Sequence, residues 1–179
     1  MASIDSLQTL LVDELKDIYD AEQRLTKAIP KLAEASSNRE LVIALNNHLA
    51  ETQQHVARLE QAFSDLGEDA DTRTCAGMKG LIKEGDDHAG DDYDDPGLRD
   101  AAIIGSAQRV EHYEIAAYGT AMAHAKLLGR DEIVRLLDQT LQEEKAADQI
   151  LTDIAERIVN VNAAVRRGKD FDTGTRTTM

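Results

Sequence analysis

Apolar residues recur along this chain in alternating three- and four-residue steps, the spacing that lines one face of an α-helix. Four long segments show it: about Ser6 to Ala35, Arg39 to Leu66, Leu98 to Leu128, and Asp131 to Val159. Start and stop signals fall between them. Ser3 or Asp5 is placed to cap the first segment, and Ser36, Ser37 and Asn38 supply turn and capping chemistry before the second. Pro96-Gly97 breaks the chain before the third, Gly129 ends it, and Asp131 is placed to cap the fourth. Pro30, inside the first segment, predicts a kink or an early end. Past about Asn160 the pattern gives way to polar residues, so residues 1–160 are expected to form the folded unit and 161–179 a flexible polar tail.

The connections decide how the helices are arranged. Segments joined by only a few residues must be antiparallel neighbours, which pairs the first with the second and the third with the fourth. Between the pairs, Gly67 to Gly97 is about thirty residues, too long for a bare loop. Ala76 to Lys83 can make one short helix there, and Asp86 to Asp95 reads as a solvated acidic loop. The fold class expected is therefore all-α: a ferritin-like four-helix bundle with a long crossover containing a short helix. The two halves also match each other at an offset of 92, which aligns Glu22 with Glu114, Leu45 with Leu137 and Glu51 with Glu143.

Charged residues interrupt all four apolar stripes. At ~100° per residue, Leu137, Leu141, Leu151, Ala155 and Ile158 share one face of the fourth segment, and the positions that continue the face are Glu144 and Asp148. In the third, Glu111 falls at the centre of the stripe and Glu114 at its edge. Glu22 lies on the stripe of the first, with Glu14 near it. His48 and His55 fall mid-stripe in the second, with Glu51 on the shoulder between them. A lone inward Glu ordinarily marks a stripe edge, which is the reading for Glu14 and Glu143. A lone core His is as often hydrogen-bonded structure as ligand. Four helices breaking pattern at one height is different. Buried carboxylates are costly and repel each other, and the central stripes hold no Lys or Arg to pair with them. Two divalent ions would resolve this, and mixed Glu and His ligation favours Fe, Mn or Zn.

Composition narrows the function classes. A net charge of −14 excludes a phosphate-backbone reader and favours cations. The single Cys75 excludes an intrachain disulfide framework and agrees with the cytoplasm. No basic-then-apolar leader and no membrane-length apolar run is seen, so no membrane partner is expected.

The stretches Asp17-Ile-Tyr-Asp-Ala-Glu22, His48-Leu-Ala-Glu51-Thr52, Val110-Glu-His-Tyr-Glu114-Ile-Ala116 and Thr140-Leu-Gln-Glu-Glu144-Lys-Ala-Ala-Asp148 resemble the bacterial YciE/YciF family of ferritin-like proteins. The resemblance spans about residues 4 to 160. It implies a cytoplasmic, stress-linked homodimer with ferroxidase-like chemistry toward O2 or H2O2. Among ferritin and rubrerythrin relatives, Glu22 and Glu51 match motif positions, and Glu111-x-x-Glu114 is closer to rubrerythrin. Two departures stand out: Gln54 follows Glu51 by three, with His55 one place later, and the fourth segment carries no His. The ligand set expected is Glu22, His48, Glu51, His55, Glu111, Glu114, Glu144 and Asp148, holding two ions, iron first and manganese or zinc as alternatives. Glu51 and Glu144, or Glu114, would bridge. Tyr19 and Tyr118 are read first as core tyrosines, with hydrogen-bond donation or a redox-active phenol as the functional alternative. Two other readings stand beside it: a non-catalytic stress-induced structural protein with a degenerate site, and a manganese catalase-like activity.

Overall fold

A computed structural model describes residues 4–170. In chain order the helices are α1 (Leu7–Ala35), α2 (Arg39–Leu66), α3 (Ala76–Gly90), α4 (Pro96–Leu127), α5 (Asp131–Ile154), a π-helical turn (Ala155–Val159) and α6 (Asn160–Asp170), with no strand among the described residues. α1 packs on α2 and α4 on α5. The pairs meet through α1 with α4 and α2 with α5, while α3 lies against α1 and α4. This is the expected four-helix bundle with its crossover helix.

Local chemistry accounts for the helix ends. Ser6, rather than Ser3 or Asp5, caps α1: its hydroxyl accepts from Thr9 N, and the Thr9 hydroxyl accepts in turn from Ser6 N. Asn38 caps α2 through Glu40 N and Leu41 N, and Gly67 ends that helix at φ 72°. Asp95 caps α4, with Pro96 in the first turn, where a missing N–H costs nothing. Gly129, at φ 66°, turns the chain toward α5. Asp131 does not cap α5. It is the first helical residue, where its charge still meets the positive end of the helix. Pro30 does not end α1, which runs on to Ala35.

Two stretches depart from the sequence pattern. The segment expected to be an acidic loop is helical as far as Gly90, because cations offset its acids: Lys83 pairs with Asp87 at 2.5 Å, and Lys31 of α1 reaches Asp86 at 3.2 Å. The other is the π-helical turn. One extra residue per turn advances the phase, so Val159, not Ile158, enters the core, and helical backbone continues to Asp170, beyond the boundary expected near Asn160. Residues 171–179 of the expected tail lie outside the described residues.

The apolar core falls into two clusters. One gathers Leu25, Ile29, Leu41, Leu45, Ile103, Ile104, Leu151 and Ile154, with Cys75 and Met78 of the crossover. The other gathers Leu11, Leu15, Ile18, Leu59, Phe63, Tyr118, Leu137 and Leu141. A polar layer separates them, described below. The first hairpin is locked to α4 by Asp100, 2% exposed, which accepts from Ser37 N (2.8 Å), Ser37 Oγ (2.7 Å) and Asn38 N (2.9 Å). Asp100→Ala strands these donors and is expected to cost about 3 kcal/mol in chemical denaturation; a loss near zero would show that water replaces the carboxylate.

Candidate metal centre

Helical phase places the polar layer. On α2, His48, Thr52 and His55 follow each other at steps of four and three between the apolar turns of Leu45 and Leu59, so both imidazoles enter the bundle. On α5 the same logic selects Glu144, fully buried, and turns Glu143 to the flank. α1 contributes Glu22, and α4 contributes Glu111 and Glu114, one turn apart and both buried.

These six side chains form two groups that share one carboxylate. In the first, His48, Glu111, Glu114 and Glu144 offer ligand atoms within 4.8 Å of one another; in the second, Glu22, His55 and Glu144 do the same. Glu144 spans them. Its Oε1 lies 2.9 Å from His55 Nδ1 and its Oε2 lies 3.8 Å from His48 Nε2. Glu111 Oε1 stands 3.4 Å from His48 Nε2, and Glu22 Oε1 stands 3.3 Å from His55 Nδ1. Each imidazole also meets an acid on its other nitrogen. Glu143 Oε2 is 3.0 Å from His55 Nε2, and Glu51 Oε2 is 3.6 Å from His48 Nδ1. Carboxylates in that outer place commonly fix the orientation of metal-binding histidines. Arg58 anchors Glu143 in turn, at 2.5 and 3.0 Å.

Six of the eight residues expected as ligands therefore come together: Glu22, His48, His55, Glu111, Glu114 and Glu144. Glu51 is half-exposed on the outer side of His48. Asp148 turns away, accepting from Gln108 Nε2 at 3.1 Å with His112 Nε2 at 3.5 Å. Glu14 pairs with His124 at 2.7 Å, away from the layer. Tyr118 belongs to the layer's edge: fully buried, it donates to Glu22 Oε1 at 2.5 Å. Tyr19 donates to Glu60 at 2.8 Å and packs edge-on against Phe63. The role of Arg58 and Glu143 had no signal in the apolar pattern, since both sit on the polar flank.

Hydrogen bonding shows what the layer lacks. Among the described residues, the buried side-chain polar atoms without a hydrogen-bond partner, the ion pairs given above aside, are Arg99 Nε, Ser106 Oγ and otherwise atoms of these six residues alone, including both oxygens of Glu114. Such atoms are expensive unless something binds them. Inward oxygen and imidazole donors of this kind could hold a metal ion.

Without metal, the layer shares protons. Burial and repulsion by Glu144 push Glu111 and Glu114 well above the usual carboxylate range, and burial raises Glu22. Burial opposes charge on His55, but Glu144 and Glu22 outweigh it and push its pKa up to about 10. Burial also opposes charge on Glu144, yet His55 and His48 hold its pKa down. Stability from His55 is fully present below its ordinary pKa of about 6.5 and is lost as pH rises toward 10. Glu111 and Glu114, whose pKa values are raised, act in the same direction above the usual carboxylate range. Chelator-treated protein should therefore lose denaturation stability between about pH 6.5 and 9, whereas added metal should stabilise more at the higher pH, because protons compete for its ligands. Metal-free stability that rises across this range would contradict these protonation states.

Residues 6–164 match the family described as Domain of unknown function (DUF892). The protein YciF of Escherichia coli (strain K12) is 40% identical over 162 residues, 90% of this chain and 97% of that protein. The crystal structure of the E. coli stress protein YciF superposes with a TM-score of 0.84, covering 88% of this chain and 99% of that one. YcfI of Rhodopseudomonas palustris is 49% identical, with a TM-score of 0.81 over 84% of this chain and 95% of that one. A Xanthomonas campestris protein, 22% identical with a TM-score of 0.71, shares the fold. The chain belongs to the family described as Domain of unknown function (DUF892), with YciF among its relatives.

Proposed function

We propose that the polar layer holds two divalent transition-metal ions, iron first, and that the protein is a stress-related ferroxidase or peroxide-consuming protein. The observation that carries this is Glu144: its two oxygens face two different histidines, each with further carboxylates of its own. Glu22 and His55 would hold one ion, His48, Glu111 and Glu114 the other, and Glu144 would bridge. Ferrous iron there would supply electrons for reduction of O2 or H2O2.

The chain's own residues do the rest. Tyr118 occupies Glu22 Oε1 and leaves Oε2 unpartnered. Arg58 and Glu143 hold the outer nitrogen of His55, turning Nδ1 inward. The apolar clusters above and below exclude water, which strengthens every charge interaction in the layer. Glu111 and Glu114 carry protons in the metal-free protein and release them on binding. Glu51 is proposed to orient His48, and Asp148 to stay outside the centre. The stress description of the YciF relative agrees with this reading.

A non-catalytic structural protein is the second reading. α5 offers Thr140, Glu144 and Ala147 to the interior and no imidazole, and YcfI is described as a candidate structural protein.

Glu144→Leu separates the two. Leu suits the apolar stripe, so the fold should survive. If Glu144 bridges, the wild type binds two ions per chain and the variant loses at least one. It also loses the metal-dependent stability, about 2.7 kcal/mol at a metal concentration 100 times the dissociation constant. Unchanged metal stoichiometry would sink the bridging role. Stopped-flow Fe(II) oxidation and peroxide consumption by iron- and manganese-loaded wild type then divide ferroxidase, catalase-like and inert outcomes.

A further inference from the structure

A cleft of about 330 Å³ lies between α2 and α5, within the ~300–1,000 Å³ usual for small-molecule pockets. Aliphatic residues supply half of its lining, and the exposed Arg157 is the one cation among the rest. Ile43 and Ile150 stand half exposed, marking its mouth, and Leu45, Leu151 and Ile154 are buried behind them. Its most buried polar residues are His48 and Glu111, both more than nine-tenths buried. Neither ring nitrogen of His48 has a hydrogen-bond partner, and neither does Glu111 Oε2. Glu40 and Asp153, the other acids flanking the cleft, are exposed, and Glu51 is half-exposed. The π-helical turn begins immediately after Ile154, and π-helical turns are frequent at functional sites.

These features are unlike a path for hydrated cations, which would be lined by acids throughout. Aliphatic walls exclude a charged body, because each charge brought past them would lose its water. Glu111 Oε2, which has no partner and is not the oxygen 3.4 Å from His48 Nε2, asks for a hydrogen-bond-donating head at the inner end. We propose that this cleft binds a small organic molecule with an aliphatic or aryl body and one uncharged oxygen-bearing head, of the alcohol or hydroperoxide class, with the O–H of the head donating to Glu111 Oε2. The proposal rests on the metal-centre reading, since bound metal offsets the charge of Glu111, and it names the substrate class of that centre: an organic hydroperoxide, which two electrons from bound ferrous iron and two protons would convert to its alcohol and water.

The test titrates the full chain, with labelled isoleucine methyl groups, with 1-octanol and with octanoate. It is run as purified and after loading with zinc, which is redox-inert, and metal content is measured in the same samples. Saturable shifts of the Ile43, Ile150 and Ile154 methyl signals with 1-octanol, and weaker binding of octanoate, are expected. Ile43→Trp and Ile150→Trp fill the half-exposed mouth without touching the core. Each should weaken 1-octanol binding about tenfold and leave metal content unchanged. A wild type that takes up no metal overturns the metal-centre reading. A wild type with full metal content and no saturable 1-octanol shifts overturns the cleft proposal, as does tighter binding of octanoate than of the alcohol.

Discussion

The contact of Glu144 with both His48 and His55 sets the terms for the rest of the structure. It places an ionised carboxylate at zero exposure in the middle of an aliphatic bundle. Desolvation of that magnitude has to be balanced locally. The layer does so with a short-range arrangement: His55, whose pKa is pushed up to about 10, beside Glu144, whose pKa it holds down, Glu111 and Glu114 driven by burial and repulsion toward their neutral forms, and the phenol of Tyr118 on Glu22. Because the layer crosses the whole bundle, the apolar core is two cores, and the four long helices must keep their relative register to hold six side chains at one height.

The two hairpins meet this demand unequally. At the offset of 92, Glu22 and Glu114 are equivalent and both buried, as the internal repeat implies. The other equivalents have diverged. Thr52 stands where α5 carries Glu144, and Thr140 stands where α2 carries His48; all four are buried. One hairpin therefore supplies both imidazoles and the other supplies the carboxylate that reaches them. Glu51 and Glu143, also equivalent, keep the same task in both halves, each on the outer nitrogen of a histidine.

Much of this was legible from residue spacing alone. The bounds of α2 matched the apolar pattern, and helical phase chose Glu144 over Glu143 because 100° separates a buried position from a flank. Phase is less decisive at the edge of a stripe. Glu51 lies there, on a shoulder of α2, whereas phase put Asp148 on the face itself and a neighbour on another helix overrides it: Gln108 of α4 donates to Asp148. Val159 could not be preferred to Ile158 without knowing of the π-helical turn, which nothing in local composition announces. α3 outran its expected length because Lys31, distant in sequence, neutralises part of an acidic run that reads as loop on its own.

The crossover has a built-in fastening whose consequence is kinetic. Asp20 of α1 accepts from Cys75 N at 2.8 Å, and Tyr113 of α4 donates to Asp17 at 2.9 Å. With its proton so committed, Tyr113 leaves the Cys75 thiol to donate to its phenol oxygen at 3.0 Å, while Sγ accepts from Met78 N. The thiol is fully buried, and that burial pushes its pKa up. An alkylating reagent therefore reaches it only while α3 is lifted off α1 and α4, so the rate of Cys75 labelling is a clock for that detachment, read without any engineered probe.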